Sequence, residues 1–198
     1  MNTKNDTLDE PQPELRRRQI PAGAARVAVF TRTYDAAVED VWDACTNPER
    51  LRRWYAPVSG DLRLGGHFKQ ALMSSGVILA CDPPQHLKLS LGDGADEIEL
   101  RLTSAEDART VLELEHATTM DRHDIGGETF DVIFCMGGGY YPRFAALRRH
   151  LRGELPDRYD PTTFHRDPAI RAVIDRGSAA MAALLEANPD DSRAEGRR

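Results

Sequence analysis

The first part of the chain passes from a polar segment to a strand pattern and then to a helical pattern. Residues 1–25 are polar and carry prolines at positions 11, 13 and 21, which predicts a disordered N-terminal arm with a solvated basic run, Arg16 to Arg18. Residues 27–34, VAVFTRTY, are rich in β-branched and aromatic side chains and predict a strand. Apolar residues then recur at helical spacing in residues 36–45 and 48–55, which predicts two short helices.

From residue 62 onward the pattern alternates between apolar and polar positions. The segments HFKQALM, GVILAC, HLKLSL, EIELRLT and TVLELEH each predict a strand with one buried face, and this pattern predicts that Glu113 and Glu115 face solvent. Only turn signals separate these segments, so they predict an antiparallel meander. With the first strand this makes a sheet of six to seven strands, whose twist curves it. Residues 118–130 are predicted to form a loop or an irregular helix.

Two helices are predicted in the last third of the chain. The first is a long helix that begins near Gly139 or Tyr140, because Pro142 is tolerated only in a first turn. It follows the meander directly and should cover the concave face of the sheet, with the run Gly137 to Gly139 as a bend that brings it close to the sheet. The second, over residues 168–187, is amphipathic and should either cover the domain or mediate a homodimer.

These elements predict an α+β fold with four regions. Residues 1–25 are the disordered arm and residues 26–153 the folded domain. Residues 154–188 are a helical extension and residues 189–198 a disordered tail. A curved sheet closed by a helix leaves a space between them, so the order of elements predicts a cavity.

Composition narrows the function. The formal net charge of −6 argues against nucleic-acid binding and against docking on anionic membranes. No run of about 18 apolar residues predicts a membrane span, and the N-terminus lacks the apolar core of a secretory signal. Three cysteines without a CxxC pair favour a reducing cytoplasm, and six histidines without HxH or HExxH spacing predict neither a metal site nor a cofactor.

An ordered set of motifs resembles the START-like superfamily, also called SRPBCC. Within it the chain is most similar to bacterial members of the family named after the C-terminal domain of the activator of Hsp90 ATPase, over roughly residues 26–152. The positions that carry the resemblance are Val41-Trp42, Asn47-Pro48, Leu51, Trp54, Pro57, Gly65-Gly66, Phe68, Gly76, Pro83-Pro84, Leu87, Thr110, Leu112 and His116. The resemblance implies a helix-grip fold (Bet v 1/START-like), in which two short helices follow the first strand and a long C-terminal helix lies over the concave face.

The predicted cavity has an apolar lining with a few polar tips, which is typical of small-molecule sites. Which side chains point inward depends on the strand register, since a slip of one residue reverses the choice. The predicted ligand-binding residues are Trp54, Tyr55, Phe68, Leu72, Leu79, Leu89, Leu100, His116, Tyr140, Tyr141, Phe144 and Leu147.

Three functions remain open from the sequence. The first is binding of a small hydrophobic molecule without catalysis, since no catalytic constellation is evident. The second is an enzyme of the aromatase/cyclase or hydrolase type, which requires His116, Tyr140 and Arg143 to converge on one empty point. The third, suggested by the family name alone, is a co-chaperone that activates Hsp90.

Overall fold

The computed structural model describes residues 10–71, 75–155, 160, 163 and 166–189. It has the predicted α+β order of elements, with further strands at both ends of the meander. The strands are β1 (Gln12–Ile20), β2 (Gly23–Tyr34), β3 (Val58–Gly60), β4 (His67–Gln70), β5 (Gly76–Asp82), β6 (His86–Leu91), β7 (Asp96–Ser104), β8 (Thr110–Thr118), β9 (Arg122–Ile125) and β10 (Glu128–Asp131). The helices are α1 (Val38–Thr46), α2 (Pro48–Trp54), α3 (Val132–Leu151) and α4 (Pro168–Ala187).

Eight strands form one antiparallel sheet in the order β1-β2-β8-β7-β6-β5-β4-β3. Strands β4 to β8 are the predicted meander, and β2 closes it by pairing with β8 from Arg26 and Thr118 to Tyr34 and Thr110. The helix-grip architecture is therefore confirmed. Where a loop or an irregular helix was expected, β9 and β10 form a separate two-stranded hairpin whose turn residues Gly126 and Gly127 both have positive φ.

The prediction of a disordered arm is wrong for residues 12–25. Residues 12–20 form β1, which pairs with β2 along its whole length, from Gln12 and Thr31 to Ile20 and Gly23. An edge strand tolerates Pro13, because its missing N–H removes at most one bond from the ladder. The charges and prolines that suggested an arm are thus those of an edge strand. Residues 1–9 lie outside the described part of the chain, as do residues 190–198 of the predicted tail.

The outer face of the sheet buries an apolar strip beneath charged side chains. Ile20, Ala25, Val27, Val29 and Ala117 form this strip, and none is more than 4% exposed. Arginines of β1 that bond carboxylates on β7 and β8 must pass over β2, so their aliphatic stems lie across the strip. The outer face is therefore buried without a covering helix.

The charges above this strip form an ion-pair network. Arg16 Nη1 lies 3.0 Å from Glu115 Oε1, and Arg18 Nη1 lies 2.7 Å from Glu97 Oε2, which Lys88 Nζ also approaches at 2.9 Å. The expectation that Arg16 and Arg18 are merely solvated is wrong, and so is the expectation that Glu115 faces solvent, because it is only 8% exposed. Sequence patterns could not reveal these pairs, because their members lie 79 and 99 residues apart.

The second of the two short helices begins at a side-chain cap, whereas α1 begins after Ala37 without one. Asn47 ends α1 and caps α2, its Oδ1 accepting a hydrogen bond of 3.0 Å from the Glu49 amide. Pro48 occupies the first turn of α2, where its missing N–H costs nothing. Leu51 and Trp54 are the buried face of α2, which brings Trp54 to the edge of the concave space.

Helix α3 begins earlier than the sequence suggests. It starts at Val132, where Asp131 Oδ1 accepts a hydrogen bond of 2.8 Å from the Ile133 amide as an N-terminal cap. The helix continues through the three glycines and contains Pro142 in its middle rather than in its first turn. Packing outweighs the cost of the proline, since Tyr140, Tyr141, Phe144 and Leu147 are all buried.

The glycine run brings α3 close to α4 rather than to the sheet. A Cβ placed on Gly137 would lie 2.1 Å from the Gly177 carbonyl oxygen, and one on Gly177 would lie 2.3 Å from the Gly137 carbonyl oxygen. The two helix backbones therefore touch directly. Met181 is fully buried and Leu185 is 8% exposed, so the apolar face of α4 packs within the same chain.

The main core lies between the concave face of the sheet and the helices. Phe30 is at its centre and contacts the rings of Tyr140, Tyr141 and Phe144, with centroid separations of 5.1, 6.3 and 6.2 Å. Within the described residues, no helix combines the length and the apolar character that crossing a bilayer requires.

Candidate ligand cavity

A cavity of about 170 Å³ lies between the concave face of the sheet, α2 and α3. Alternate residues of β6, β7 and β8 form its floor: Leu87, Leu89, Ile98, Leu100, Leu112 and Leu114. Because inward positions repeat every two residues along a strand, these five leucines and one isoleucine present a continuous apolar surface. Helix α3 closes the other side with Tyr140, Arg143, Phe144 and Leu147.

The structure brings most of the predicted residues together around this cavity. Those that line it are Trp54, Tyr55, Phe68, Leu89, Leu100, Tyr140, Phe144 and Leu147. Several lining residues were not in the predicted set: Tyr34, Cys45, Thr46, Leu51, Val58, Leu62, Gln70, Ile78, Cys81, Leu87, Ile98, Leu112, Leu114 and Arg143. The missed residues of β6 and β7 lie two positions from Leu89 and Leu100, and those of β8 lie two positions from each other, so the period of a strand could have identified them. No periodic signal marks Leu62, which lies in a loop.

Three predicted residues do not line the cavity, and Leu72 lies outside the described residues. Leu79 is 42% exposed, because the ladder between β5 and β6 shifts between Ile78 and Ala80 and leaves Leu79 as the extra residue of a bulge. Ile78 points inward in its place. Tyr141 faces α4, where its Cγ would be 2.7 Å from a Cβ on Gly177.

His116, the third of these residues, lies behind Tyr140 rather than on the cavity surface. The Tyr140 hydroxyl is 2.8 Å from His116 Nδ1, and His116 Nε2 is 3.6 Å from Asp96 Oδ1. Burial by itself raises the pKa of Asp96, but the neighbouring His116 and Thr118 side chains outweigh burial and lower it. An ionised Asp96 favours the proton on Nε2, so we assign Nδ1 as the acceptor and the Tyr140 hydroxyl as the donor.

Other polar groups of the lining also bond to the protein. Trp54 Nε1 donates to the Ala44 carbonyl at 2.9 Å, Thr46 Oγ1 to the Trp42 carbonyl at 2.8 Å, and the Tyr34 hydroxyl to the Phe144 carbonyl at 3.3 Å. Burial raises the pKa of the Cys45 thiol to about 12, so this thiol is neutral at physiological pH. The cavity therefore presents mainly carbon surface to an occupant.

Arg143 is the cationic member of the lining. Its Nη1 donates to the Gly139 carbonyl at 2.6 Å, and its guanidinium carbon lies 5.3 Å from the centre of the Tyr55 ring. Burial raises the pKa of the Tyr55 hydroxyl, and the charge of Arg143 opposes that shift. The backbone carbonyl and the ring thus hold the guanidinium at the cavity wall.

The three residues proposed for catalysis do not converge on one empty point. Tyr140 and Arg143 line the cavity, whereas His116 is separated from it and bonds to Tyr140. Among the residues that the structure describes, no group of three or more His, Cys, Asp or Glu side chains could hold a metal ion.

Comparisons with known proteins agree with this fold. The model of the family described as Activator of Hsp90 ATPase homolog 1-like protein matches residues 35–133. The chain is 35% identical to CalU16 from Micromonospora echinospora over 89% of this chain and 98% of CalU16, with a TM-score of 0.71 to its crystal structure. For the solution NMR structure of CalU16 the identity is 36%, the coverages are 90% and 97%, and the TM-score is 0.76.

Two more distant structures share the fold alone. PFC0360w, an HSP90 activator from Plasmodium falciparum, is 18% identical over 64% of this chain and 96% of its own, with a TM-score of 0.53. DynU16, a protein of the dynemicin biosynthetic locus, is 21% identical over 68% of this chain and 50% of its own, with a TM-score of 0.54. No curated protein matches the chain.

Proposed function

We propose that this chain, which belongs to the family of Activator of Hsp90 ATPase homolog 1-like proteins, binds a small, largely apolar molecule between its sheet and α3. The observation that carries the proposal is the cavity of about 170 Å³ with its leucine-rich floor. We place the protein in the cytoplasm, which agrees with its three free cysteines, Cys45, Cys81 and Cys135.

The volume limits the size of the occupant. An apolar cavity of about 150 Å³ in another protein stays dry and binds benzene. A space of about 170 Å³ therefore suits a molecule built on one six-membered ring or a comparable aliphatic group. Larger ligands require the lining to move. Transfer of an apolar ring from water into this space supplies the driving force.

The rival functions have less support in the geometry. An aromatase/cyclase or hydrolase would need its acid, base and oxyanion donor to face the same substrate atom, and His116 does not line the cavity. Activation of Hsp90 rests on the family name and on a structure only 18% identical, so it remains a weaker alternative.

A pair of matched variants tests the proposal. Leu89→Phe adds a ring inside the cavity, whereas Leu79→Phe adds the same ring on the neighbouring strand outside it. We expect ethylbenzene, titrated into ¹⁵N-labelled protein, to shift amide resonances of β6, β7 and α3. Leu89→Phe should weaken this binding at least tenfold, while Leu79→Phe should leave it within a factor of about two. Equal binding by both variants would contradict the proposal.

A further inference from the structure

The polar groups of the cavity lining show an imbalance at Arg143. The Tyr34, Thr46, Trp54 and Tyr140 side chains each donate to a partner within the protein, the last by the tautomer assigned above. Arg143 also donates to a carbonyl through Nη1, but its Nε is buried and has no hydrogen-bond partner among the described residues. A buried donor without an acceptor is costly, so the site is incomplete at this point.

The charge of Arg143 is also uncompensated. Within the described part of the chain, no carboxylate forms an ion pair with its guanidinium, and its titratable neighbours Cys45, Tyr55 and Tyr140 are a neutral thiol and neutral phenols. By contrast, Arg18, whose Nε also lacks an acceptor, pairs with Glu97, and Arg26 pairs with Asp131. A partly buried guanidinium in an apolar wall attracts an anion strongly, since little water screens it.

The surroundings of Arg143 hold the guanidinium in place for such a partner. The Gly139 carbonyl accepts a hydrogen bond from Nη1, and the centre of the Tyr55 ring lies 5.3 Å from the guanidinium carbon. These two contacts fix the side chain without neutralising it. Because Arg143 lines the cavity, a ligand oxygen that met its guanidinium there would gain a charge-assisted hydrogen bond.

We propose that the cavity selects a small acid, namely a single-ring or short aliphatic molecule whose carboxylate or phenolate oxygen meets Arg143, an inference that rests on the proposed function. The apolar floor contacts the ring or chain of the ligand, and Arg143 binds its anionic group. Because the Tyr140 hydroxyl already donates a hydrogen bond to His116, Arg143 is the specificity-determining donor of the site.

The test compares three probes of similar size on the wild-type protein at pH 7: benzoate, the neutral isostere benzamide, and ethylbenzene. We expect benzoate to bind at least tenfold more tightly than benzamide, because a charge-assisted hydrogen bond to its carboxylate is stronger than one to the neutral carbonyl of benzamide. If ethylbenzene binds and benzoate binds no better than benzamide, the inference fails while the proposed cavity function survives. If none of the three binds, both fail.

Variants then locate the effect. Arg143→Met should reduce benzoate affinity about tenfold and leave ethylbenzene affinity within a factor of about two. Arg143→Lys should keep part of the preference for benzoate, since the charge remains. Arg171→Met, at an exposed position of α4, should change neither affinity. An equal loss of benzoate and ethylbenzene in Arg143→Met would show that Arg143 only supports the fold, and would overturn the inference.

Discussion

The two faces of the sheet differ in how their buried residues are covered. On the concave face, α3 lies across Phe30 and the leucines of the meander and leaves a cavity of about 170 Å³. On the outer face no helix is needed, because Arg16 and Arg18 cross the valine and alanine strip and bond glutamates on the far side. Flexible arginine stems can follow a surface of short side chains closely, whereas a rigid helix over a curved sheet leaves a space.

The difference separates a face suited to binding from one suited to stability. Charges on the outer face are paired with one another, so that face offers an incoming ligand little. On the concave face most polar groups bond inward and Arg143 is left with an unbonded donor. Within the part of the chain that the structure describes, the concave face thus combines a void with a guanidinium that has no carboxylate partner.

The largest expected effect comes from separating α3 from α4, which supports the cover of the concave face. Gly137→Ala places a Cβ 2.1 Å from the Gly177 carbonyl oxygen, where backbone must move to make room. We expect the free energy of unfolding to fall by about 3 kcal/mol, measured by urea denaturation.

Gly139→Ala is the control for this prediction, because its Cβ would meet only the flexible end of Arg143 at 3.1 Å. Alanine is more favourable than glycine inside a helix, and this gain should offset most of the crowding. The free energy of unfolding should therefore stay within about 1 kcal/mol of the wild-type value. Equal losses in the two variants would mean that helix contact does not explain the glycines.

A smaller effect is expected from breaking the outer network. Arg18→Met leaves Glu97 and Glu115 buried with fewer partners and should cost about 2 kcal/mol at pH 7. Burial tends to raise the pKa of Glu97, but Lys88 and Arg18 lower it overall. The stability that ionised Glu97 contributes is therefore fully present above its pKa in the unfolded chain and is lost as the pH falls through its pKa in the folded protein. The difference in the free energy of unfolding between Arg18→Met and the wild type should therefore be smaller near pH 3 than at pH 7.

Arg52→Met provides the contrast for Arg18. Arg52 and Glu49 form an ion pair of 3.1 Å on the surface of α2, with both side chains more than half exposed. Its loss should change stability by less than about 0.5 kcal/mol, measured in the same denaturation series at both pH values. If Arg18→Met costs no more than Arg52→Met, the arginine cover of the outer face is not a source of stability.

The smallest effect concerns the hydrogen bond behind the cavity. Tyr140→Phe leaves buried His116 Nδ1 without its donor and should cost about 1.5 kcal/mol. Tyr34→Phe removes a longer bond of 3.3 Å to a helix carbonyl and should cost less. The ¹⁵N shifts of the His116 ring should show the Nε2–H tautomer in the wild type, and an Nδ1–H tautomer would reverse our donor assignment.

Much of the fold was predictable because its signals are local. Alternation marked β4 to β8, and the helical spacing of apolar residues marked α1 and α2. The start of α3 could not be predicted from the sequence, since Gly137 by itself indicates a bend and Pro142 a first turn. Their real context, a helix in contact with α4, involves residues about 40 positions away along the chain.

The cavity was predictable as a space but only in part as a list of residues. Leu89, Leu100, Phe144 and Leu147 follow from period and element order. The bulge at Leu79 does not, because an extra residue in one strand is defined only by the partner strand beside it.

The sequence by itself determined the order of strands and helices and the side of each strand that is apolar, because periodicity is a property of near neighbours. The tertiary structure alone decided that residues 12–20 form an edge strand and that Gly137 meets Gly177. It also decided that Arg16 and Arg18 pair with glutamates while Arg143 pairs with no carboxylate of the described residues. These outcomes depend on which distant segments meet. Identical arginines thus became structural on one face and a candidate ligand contact on the other.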